Sequence, residues 1–232
     1  MSSPIILAAM EQGSNEWHDA RRGRITMSNA KALLTGGKGV TRKSYLMDVA
    51  SEIVTGVTAD TYKSWAMERG NILESFARDA YELVTGCKVN QVGLGYLNDD
   101  RTISASPDGI GEDRGLEIKC QLPKNHVNTL YNGVNPKAFN DQMQGCMWVF
   151  DKPQWDYVSF CPECKDNPIF IYTVYRDEEV IKRIEESALR GVEEIKAIVE
   201  RVKKEPVSEI TDICEDALQL IETLSNKEPE FS

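Results

Sequence analysis

Ser106-Pro107-Asp108-Gly109-Ile110-Gly111-Glu112-Asp113-Arg114-Gly115-Leu116-Glu117-Ile118-Lys119, or SPDGIGEDRGLEIK, decides how the chain is read. On a strand, residues two apart project from one face. Glu117 and Lys119 therefore point together, while Ile118 points into a core. Ser106 and Asp108 share a face by the same rule. If the glycine-studded segment between them folds back as a hairpin, Asp108 comes beside Glu117. Two carboxylates and a backbone carbonyl then make an all-oxygen pocket of the kind that suits Mg²⁺ or Mn²⁺. Such a cation lowers the pKa of its water and neutralises charge building on a phosphoryl oxygen. A nearby ammonium orients the attacking hydroxide and stabilises the developing charge. This is the chemistry of phosphodiester hydrolysis; the competing reading is an ordinary hairpin with a polar outer face.

The chain carries its own control at Glu194-Ile195-Lys196, which repeats the tripeptide in a helical context. Residues two apart on a helix project roughly 200° apart. That pair cannot converge on one ion and reads as a solvated face.

With 232 residues, 41% hydrophobic and 28% charged, the chain is long enough for one full domain with a real core. No apolar run approaches the roughly 20 residues that span a bilayer, so no membrane association is expected. The start, MSSPIILAAMEQ, has a short apolar core and no basic leader, so no secretory signal is expected either. Six dispersed cysteines point to reduced thiols and a cytoplasmic protein. The net charge of −10 seems unfavourable for a nucleic-acid partner, but its distribution matters more. Residues 1–50 hold seven Lys and Arg against four Asp and Glu, whereas residues 177–232 hold eight against sixteen. A basic N-terminal face can still meet phosphates.

Caps and periodicity predict helices over 15–22, 28–34, 41–55 and 63–85, the second capped by Ser28. In the last of these, Trp65, Ile72, Leu73, Phe76, Ala80 and Leu83 fall broadly on one side, the expected buried face. Short strands follow at 88–97, 102–106 and 115–121, then helices at 123–131 and 136–150, then strands at 156–161 and 169–175. An amphipathic helix over 177–204 and an acidic one over 209–224 complete the chain. The order predicts an α/β fold, a mixed central β-sheet flanked by helices, in a single domain over 1–232 with a C-terminal helical segment at about 177–225.

Asp108 with Glu117-Ile118-Lys119 resembles the PD-(D/E)xK nuclease motif, and the fold that this implies is restriction-endonuclease-like. The phrases SASPDGI, GLEIKC and QMQGCMWV resemble the lambda exonuclease (YqaJ-like viral recombinase) family. So do EWHDARRGRITMS and ERGNILESFARDAYE. The blocks occur in family order from about residue 16 to residue 177.

The resemblance implies a role for each matching residue. Asp108 and Glu117 match the principal metal ligands, the Ile118 carbonyl adds an oxygen, and Glu74 approaches the same site from a helix. Lys119 matches the catalytic lysine, and Gln142 a glutamine near the reacting phosphate or water. Gln144 lies about 200° around its helix from Gln142 and is not expected to share that task. Arg21 and Ser28 match positions that bind a terminal 5′-phosphate, with Ser106 nearby. An arginine fork and a hydroxyl beside free backbone N–H groups suit that ligand. Their alternatives are a solvated charge and a simple helix cap. Lys38, Arg42 and Lys43 are expected to touch duplex phosphates. Phe139 departs from the family, which carries an aromatic hydroxyl there. The Gly36-Gly37-Lys38-Gly39 loop aligns poorly and is not a Walker A motif, because Gly39 stands where Ser or Thr is required.

Cys161-Pro162-Glu163-Cys164 invites a zinc or iron–sulfur reading, but the chain supplies no second pair to complete four ligands, and a loop between two strands is expected. His18 and His126 lack the partners of a triad, and Trp17 is expected to be a core anchor. The resemblance thus implies a Mg²⁺-dependent, processive 5′-to-3′ exonuclease on duplex DNA, with a two-metal site that also accepts Mn²⁺. It implies double-stranded DNA ends as substrate, a homotrimeric ring, a phage single-strand annealing protein as partner, and action in the cytoplasm of a bacterial host. A restriction-like endonuclease and a non-catalytic DNA-end-binding protein are the alternatives.

Overall fold

The structure, a computed structural model, describes residues 4–35, 40–58, 65–134, 136–204 and 211–225. Its elements run β1 (Ile5–Leu7), α1 (Asn15–Arg21), β2 (Ile25–Thr26), a 3₁₀ turn (Met27–Asn29), α2 (Ala30–Leu34), α3 (Val40–Thr55) and α4 (Trp65–Thr85). Then come β3 (Leu94–Tyr96), β4 (Ile103–Ala105), β5 (Gly109–Ile110), β6 (Arg114–Lys119), α5 (Pro123–Asn132) and α6 (Pro136–Phe150). Last are β7 (Gln154–Phe160), β8 (Ile169–Tyr175), α7 (Glu178–Lys203) and α8 (Thr211–Ser225). Contacts divide the chain into two compact units, 1–199 and 200–232, the second holding the end of α7 and α8.

The fold is the expected mixed α/β type, but its strands form two four-stranded sheets rather than one, ordered β1-β3-β4-β2 and β5-β6-β7-β8. The chain changes sheets between β4 and β5, at Ser106-Pro107-Asp108. Pro107 has no N–H to give a ladder, and its carbonyl is taken by the Gln12 side chain at 2.8 Å. The backbone N–H of Asp108 turns instead to the Leu116 carbonyl, 3.1 Å away. Asp108 therefore sits at the junction, at the head of a new hairpin.

In the second sheet β6 is internal, antiparallel to β5 and parallel to β7. Both its faces are covered, so its residues are buried without an alternating polar side. Leu116 and Ile118 face Ala77 and Tyr81 of α4, and the opposite face carries Glu117 towards Gln142 of α6. Gly115 is required there, because a Cβ would stand 2.3 Å from the Trp155 ring.

The buried face of α4 differs from expectation. Ala77 and Tyr81 are buried, with Leu73 and Ala80 partly so, while Trp65, Ile72, Phe76 and Leu83 are 60–87% exposed. The helix carries two apolar rows, and the sheet takes the one with a small residue at its centre. Tyr81 adds a reason: its hydroxyl donates to Asp156 Oδ2 at 2.5 Å, satisfying a carboxylate that is only 1% exposed.

Ser28 lies within the 3₁₀ turn and caps no helix; Asn29 precedes α2. Ser14 does cap α1, accepting the Trp17 backbone N–H at 3.2 Å. Glu194 is not simply solvated, since its carboxylate receives the buried Arg42 guanidinium at 2.6 Å. Among the described residues, no helix is long and apolar enough to cross a membrane.

Candidate active site

The register pairs Gly109 with Leu116 and Ile110 with Gly115. One step further along the same hairpin, Asp108 stands opposite Glu117. The Asp108 carboxylate accepts the Ile118 backbone N–H through Oδ2 at 2.6 Å. A side chain thus stands where a strand carbonyl would normally close the ladder.

Glu117 is 2% exposed and engaged at both oxygens. Lys119 Nζ lies 2.5 Å from Oε1, and the Gln142 amide donates to Oε2 at 2.6 Å. The strand period that joins Glu117 to Lys119 is thus seen directly, as is the placement of Gln142 by α6. Gln144, on the other side of α6, donates to the Tyr175 carbonyl and accepts the Asp177 N–H. It is a structural tie. Phe139 lies beside Lys119, whose ammonium is 5.6 Å from the ring centre, and it stacks on Tyr157.

Glu74 reaches the cluster from α4 and is bound by Arg78 Nη2 at 2.6 Å. Arg78 also donates through Nε to the Asp108 carbonyl at 2.9 Å. It therefore fastens α4 to the sheet junction at the position of the two carboxylates. Sequence reasoning missed Arg78; its one signal is the spacing of four residues from Glu74, which puts them together on a helix. Gln12, Asp108, Glu74, Ile118, Lys119 and Gln121 line one cleft of about 410 Å³.

Burial, and then the charges of Glu117 and Glu74, raise the Asp108 pKa well above the usual carboxylate value. Burial likewise raises Glu74, against the pull of Arg78. For Lys119 burial works downwards, but Glu117 and Asp108 outweigh it and the net shift is upwards. The carboxylates of Glu117 and Asp108 thus favour the charged form of Lys119. Asp108 and Glu74 line the cleft with Lys119, and Asp108 is the carboxylate most opposed by burial and by its like-charged neighbours. Among the described residues, no three His, Cys, Asp or Glu side chains stand together as a ready metal cage. The donor set nevertheless fits a hard divalent cation: all oxygen, with two carboxylates on paired segments and Asp108 buried beside the like charges of Glu117 and Glu74.

The second expected group also comes together. Arg21 Nη1 donates to Ser106 Oγ at 2.8 Å, and Nη2 lies 3.4 Å from Ser28 Oγ. The Arg21 guanidinium lies over the Trp17 ring at 4.2 Å, and the Trp17 indole N–H donates to Ser106 and to the Gly93 carbonyl. Burial lowers the Arg21 pKa from its ordinary value, a desolvation that a bound anion would offset. Trp17 is half-buried and acts as the platform that aims Arg21.

Arg42 corrects an expectation. It is 2% exposed and bonded to Glu194 and to the Ser187 carbonyl, so it offers no donor to an external phosphate. Lys38 lies outside the described residues. Cys161 and Cys164 sit in the loop between β7 and β8, as expected. Glu163, between them, binds Arg69 at 2.7 Å, and Arg69 also holds the carbonyls of Cys120 and Gln121. His126 is buried with both ring nitrogens engaged, by Ser159 and by the Asn167 carbonyl.

The model of the YqaJ-like viral recombinase domain matches residues 16–153. The fold resembles the crystal structure of LHK-Exo in complex with dAMP, at 30% identity and a TM-score of 0.76, over 82% of this chain and 97% of that one. The same values hold for the alkaline exonuclease LHK-Exo from Laribacter hongkongensis. A phage related exonuclease from Haemophilus somnus 129PT, 16% identical with a TM-score of 0.59 over 78% of this chain and 96% of that one, shares the fold. No curated protein matches the chain.

Proposed function

The chain belongs to the YqaJ-like viral recombinase family, and we propose that it is a Mg²⁺-dependent exonuclease that degrades the 5′-ended strand of duplex DNA. The observation that carries this reading is the cross-strand meeting of Asp108 and Glu117, with Lys119 on Glu117. The similarity to LHK-Exo supports it.

Asp108, Glu117 and the Ile118 carbonyl are the groups that would hold the metal, with Glu74 alongside and room for a second ion. When bound, a divalent cation makes hydroxide available near neutral pH and neutralises charge on the phosphoryl oxygens. Lys119, held as an ammonium by its carboxylate neighbours, donates to a non-bridging phosphate oxygen as charge builds there. Gln142 fixes the rotamer of Glu117, and Arg78 fixes Glu74 and the Asp108 backbone. Mn²⁺ satisfies the same oxygen donors.

Arg21, Ser28 and Ser106 receive the terminal 5′-phosphate. Ser106 and Asp108 are separated only by Pro107, so the proposed phosphate pocket adjoins the proposed metal ligands, which supports the release of a 5′-mononucleotide that leaves a 3′ single strand. The exposed row of Trp65, Ile72, Phe76 and Leu83 on α4 is the kind of surface that subunits cover, which favours the homotrimeric ring and, through it, processive action. The acidic α8 exposes Ile213, Leu218, Leu220 and Ile221, and we assign it to contact with a phage single-strand annealing protein in the host cytoplasm. Digestion of linear and closed circular duplex tests the reading. Loss of the linear form alone supports it, whereas cutting of the circle favours a restriction-like endonuclease.

A further inference from the structure

We infer that Gln12 is a positioning residue for Asp108, the proposed metal ligand, and that it acts by clamping two strands where their ladder stops, one residue before Asp108. The inference rests on the reading of Asp108 as a ligand. In the first sheet β3 and β4 are antiparallel and pair Tyr96 with Ser104 and Gly95 with Ala105. Continued past its last pair, that register sets Gly93 against Pro107, where the ladder must stop because proline has no N–H. The Gln12 amide takes over at this point. Its Nε2 donates to the Val92 carbonyl at 3.0 Å and to the Pro107 carbonyl at 2.8 Å, one N–H to each chain. Both neighbours are acceptors, so the nitrogen of the amide faces them and not its oxygen.

Asp108 then changes partners: its backbone N–H goes to the Leu116 carbonyl and its Oδ2 accepts from Ile118. Its position is thus set by β6 on one side and by the Gln12 clamp on the other. The segment that carries Gln12 is itself closely seated. A Cβ on Gly93 would stand 2.1 Å from the Met10 carbonyl, so the chain just before Gln12 lies directly against the strand. Gly13 turns the chain at a φ of +84°, and Ser14 caps α1. From α1, Trp17 grips the neighbouring residues, donating to the Gly93 carbonyl and to Ser106 Oγ. Val92 and Pro107 are therefore held by Gln12, and Gly93 and Ser106 by Trp17. Gln12 lines the cleft of Asp108, Glu74 and Lys119, whereas Trp17 lies beneath Arg21. The two grips serve separate tasks. Releasing Pro107 frees the Asp108 carboxylate and leaves Arg21 on Ser106.

The test measures Mn²⁺ binding to the full-length protein without DNA, from the electron paramagnetic resonance signal of the free ion. Gln12→Met keeps the length of the side chain and removes both donors. It should weaken Mn²⁺ binding about tenfold, the usual effect of losing a group that orients a metal ligand. In a digest, the Mg²⁺ concentration for half-maximal rate should rise by a similar factor, while the rate at saturation and the preference for phosphorylated 5′ ends change little. Gln12→Asn, one carbon shorter, reaches at most one of the two carbonyls and should show a smaller loss of Mn²⁺ affinity; it also serves if the Met variant does not fold. Trp17→Phe, which keeps a ring beneath Arg21 without the indole N–H, should do the reverse, lowering the end preference at unchanged Mn²⁺ affinity. Wild-type Mn²⁺ affinity in folded Gln12→Met or Gln12→Asn protein overturns the inference. An equal loss in Trp17→Phe overturns it too, because the effect would then belong to the whole segment. Absence of Mn²⁺ binding in wild type would instead remove the metal reading, and the inference with it, so the two failures are distinct.

Discussion

Lys119 Nζ lies 2.5 Å from Glu117 Oε1, on the face of β6 that looks towards α6. The pair is the direct consequence of a two-residue strand period in a buried strand. It also fixes the charge state of the lysine, because burial alone would lower its pKa and the carboxylates of Glu117 and Asp108 reverse that. Replacing Lys119 by Ala should lower single-turnover cleavage by about 10² to 10³-fold, the usual effect of removing one donor to a developing charge. Binding to a duplex end, measured by fluorescence anisotropy, should persist. An unchanged cleavage rate would remove Lys119 from the reaction.

Asp108 is the carboxylate that burial and two like-charged neighbours oppose. Its replacement by Asn keeps an oxygen to accept the Ile118 N–H and removes one charge from the cluster. In EDTA at pH 8 the Asp108→Asn protein should therefore melt several degrees above wild type, although it cleaves no DNA. Mg²⁺ should raise the melting temperature of wild type and leave the variant unmoved. A lower melting temperature for the variant in EDTA would show that the carboxylate stabilises the metal-free fold.

Arg21 holds Ser106 and faces Ser28 above the Trp17 ring. Arg21→Ala should reduce the preference for phosphorylated over hydroxyl 5′ ends by about 10- to 100-fold, the worth of a charge-assisted hydrogen bond. Competition between the two end-types in one digest reads the ratio. Equal discrimination before and after the substitution would take Arg21 out of the phosphate pocket.

The hairpin with Glu117 and Lys119 was legible because the strand period decides which side chains can meet, whereas Gln142 was reached only through the family resemblance. The paired faces of α4 were not. Periodicity finds an apolar row at Trp65, Ile72, Phe76 and Leu83 but does not say which of two rows a sheet will take, and here the row with Ala77 and Tyr81 is buried. Arg42 was misplaced for a related reason. Its partner Glu194 is 152 residues away, and no local rule links the two. The strands β1, β2 and β5 are two or three residues long, too short to show a period. The division into two sheets follows from Pro107, whose missing N–H is visible in sequence although the consequence depends on Gln12 reaching its carbonyl.

Glu163 gives a pH-dependent check on the loop that braces the end of β6. The hydrogen bond from Arg69 holds its carboxyl down to about 2. A depressed carboxylate contributes stability above its unfolded value near 4.3, and that contribution is lost as pH falls towards the folded value. Glu163→Gln should thus lower the urea midpoint at pH 7, with the gap to wild type narrowing steadily through pH 4 and pH 3. A gap that is constant with pH would mean that the carboxylate charge is not what Arg69 uses.

The most direct test of the metal-assembled site follows release of labelled mononucleotide from a linear duplex phosphorylated at its 5′ ends, as Mg²⁺ is titrated in and then withdrawn with EDTA. Wild-type protein should liberate 5′-mononucleotides in proportion to bound Mg²⁺ and stop when the ion is removed, and protein lacking the Asp108 or Glu117 carboxylate should liberate none. Release that continues in EDTA, or that survives loss of either carboxylate, would contradict the account.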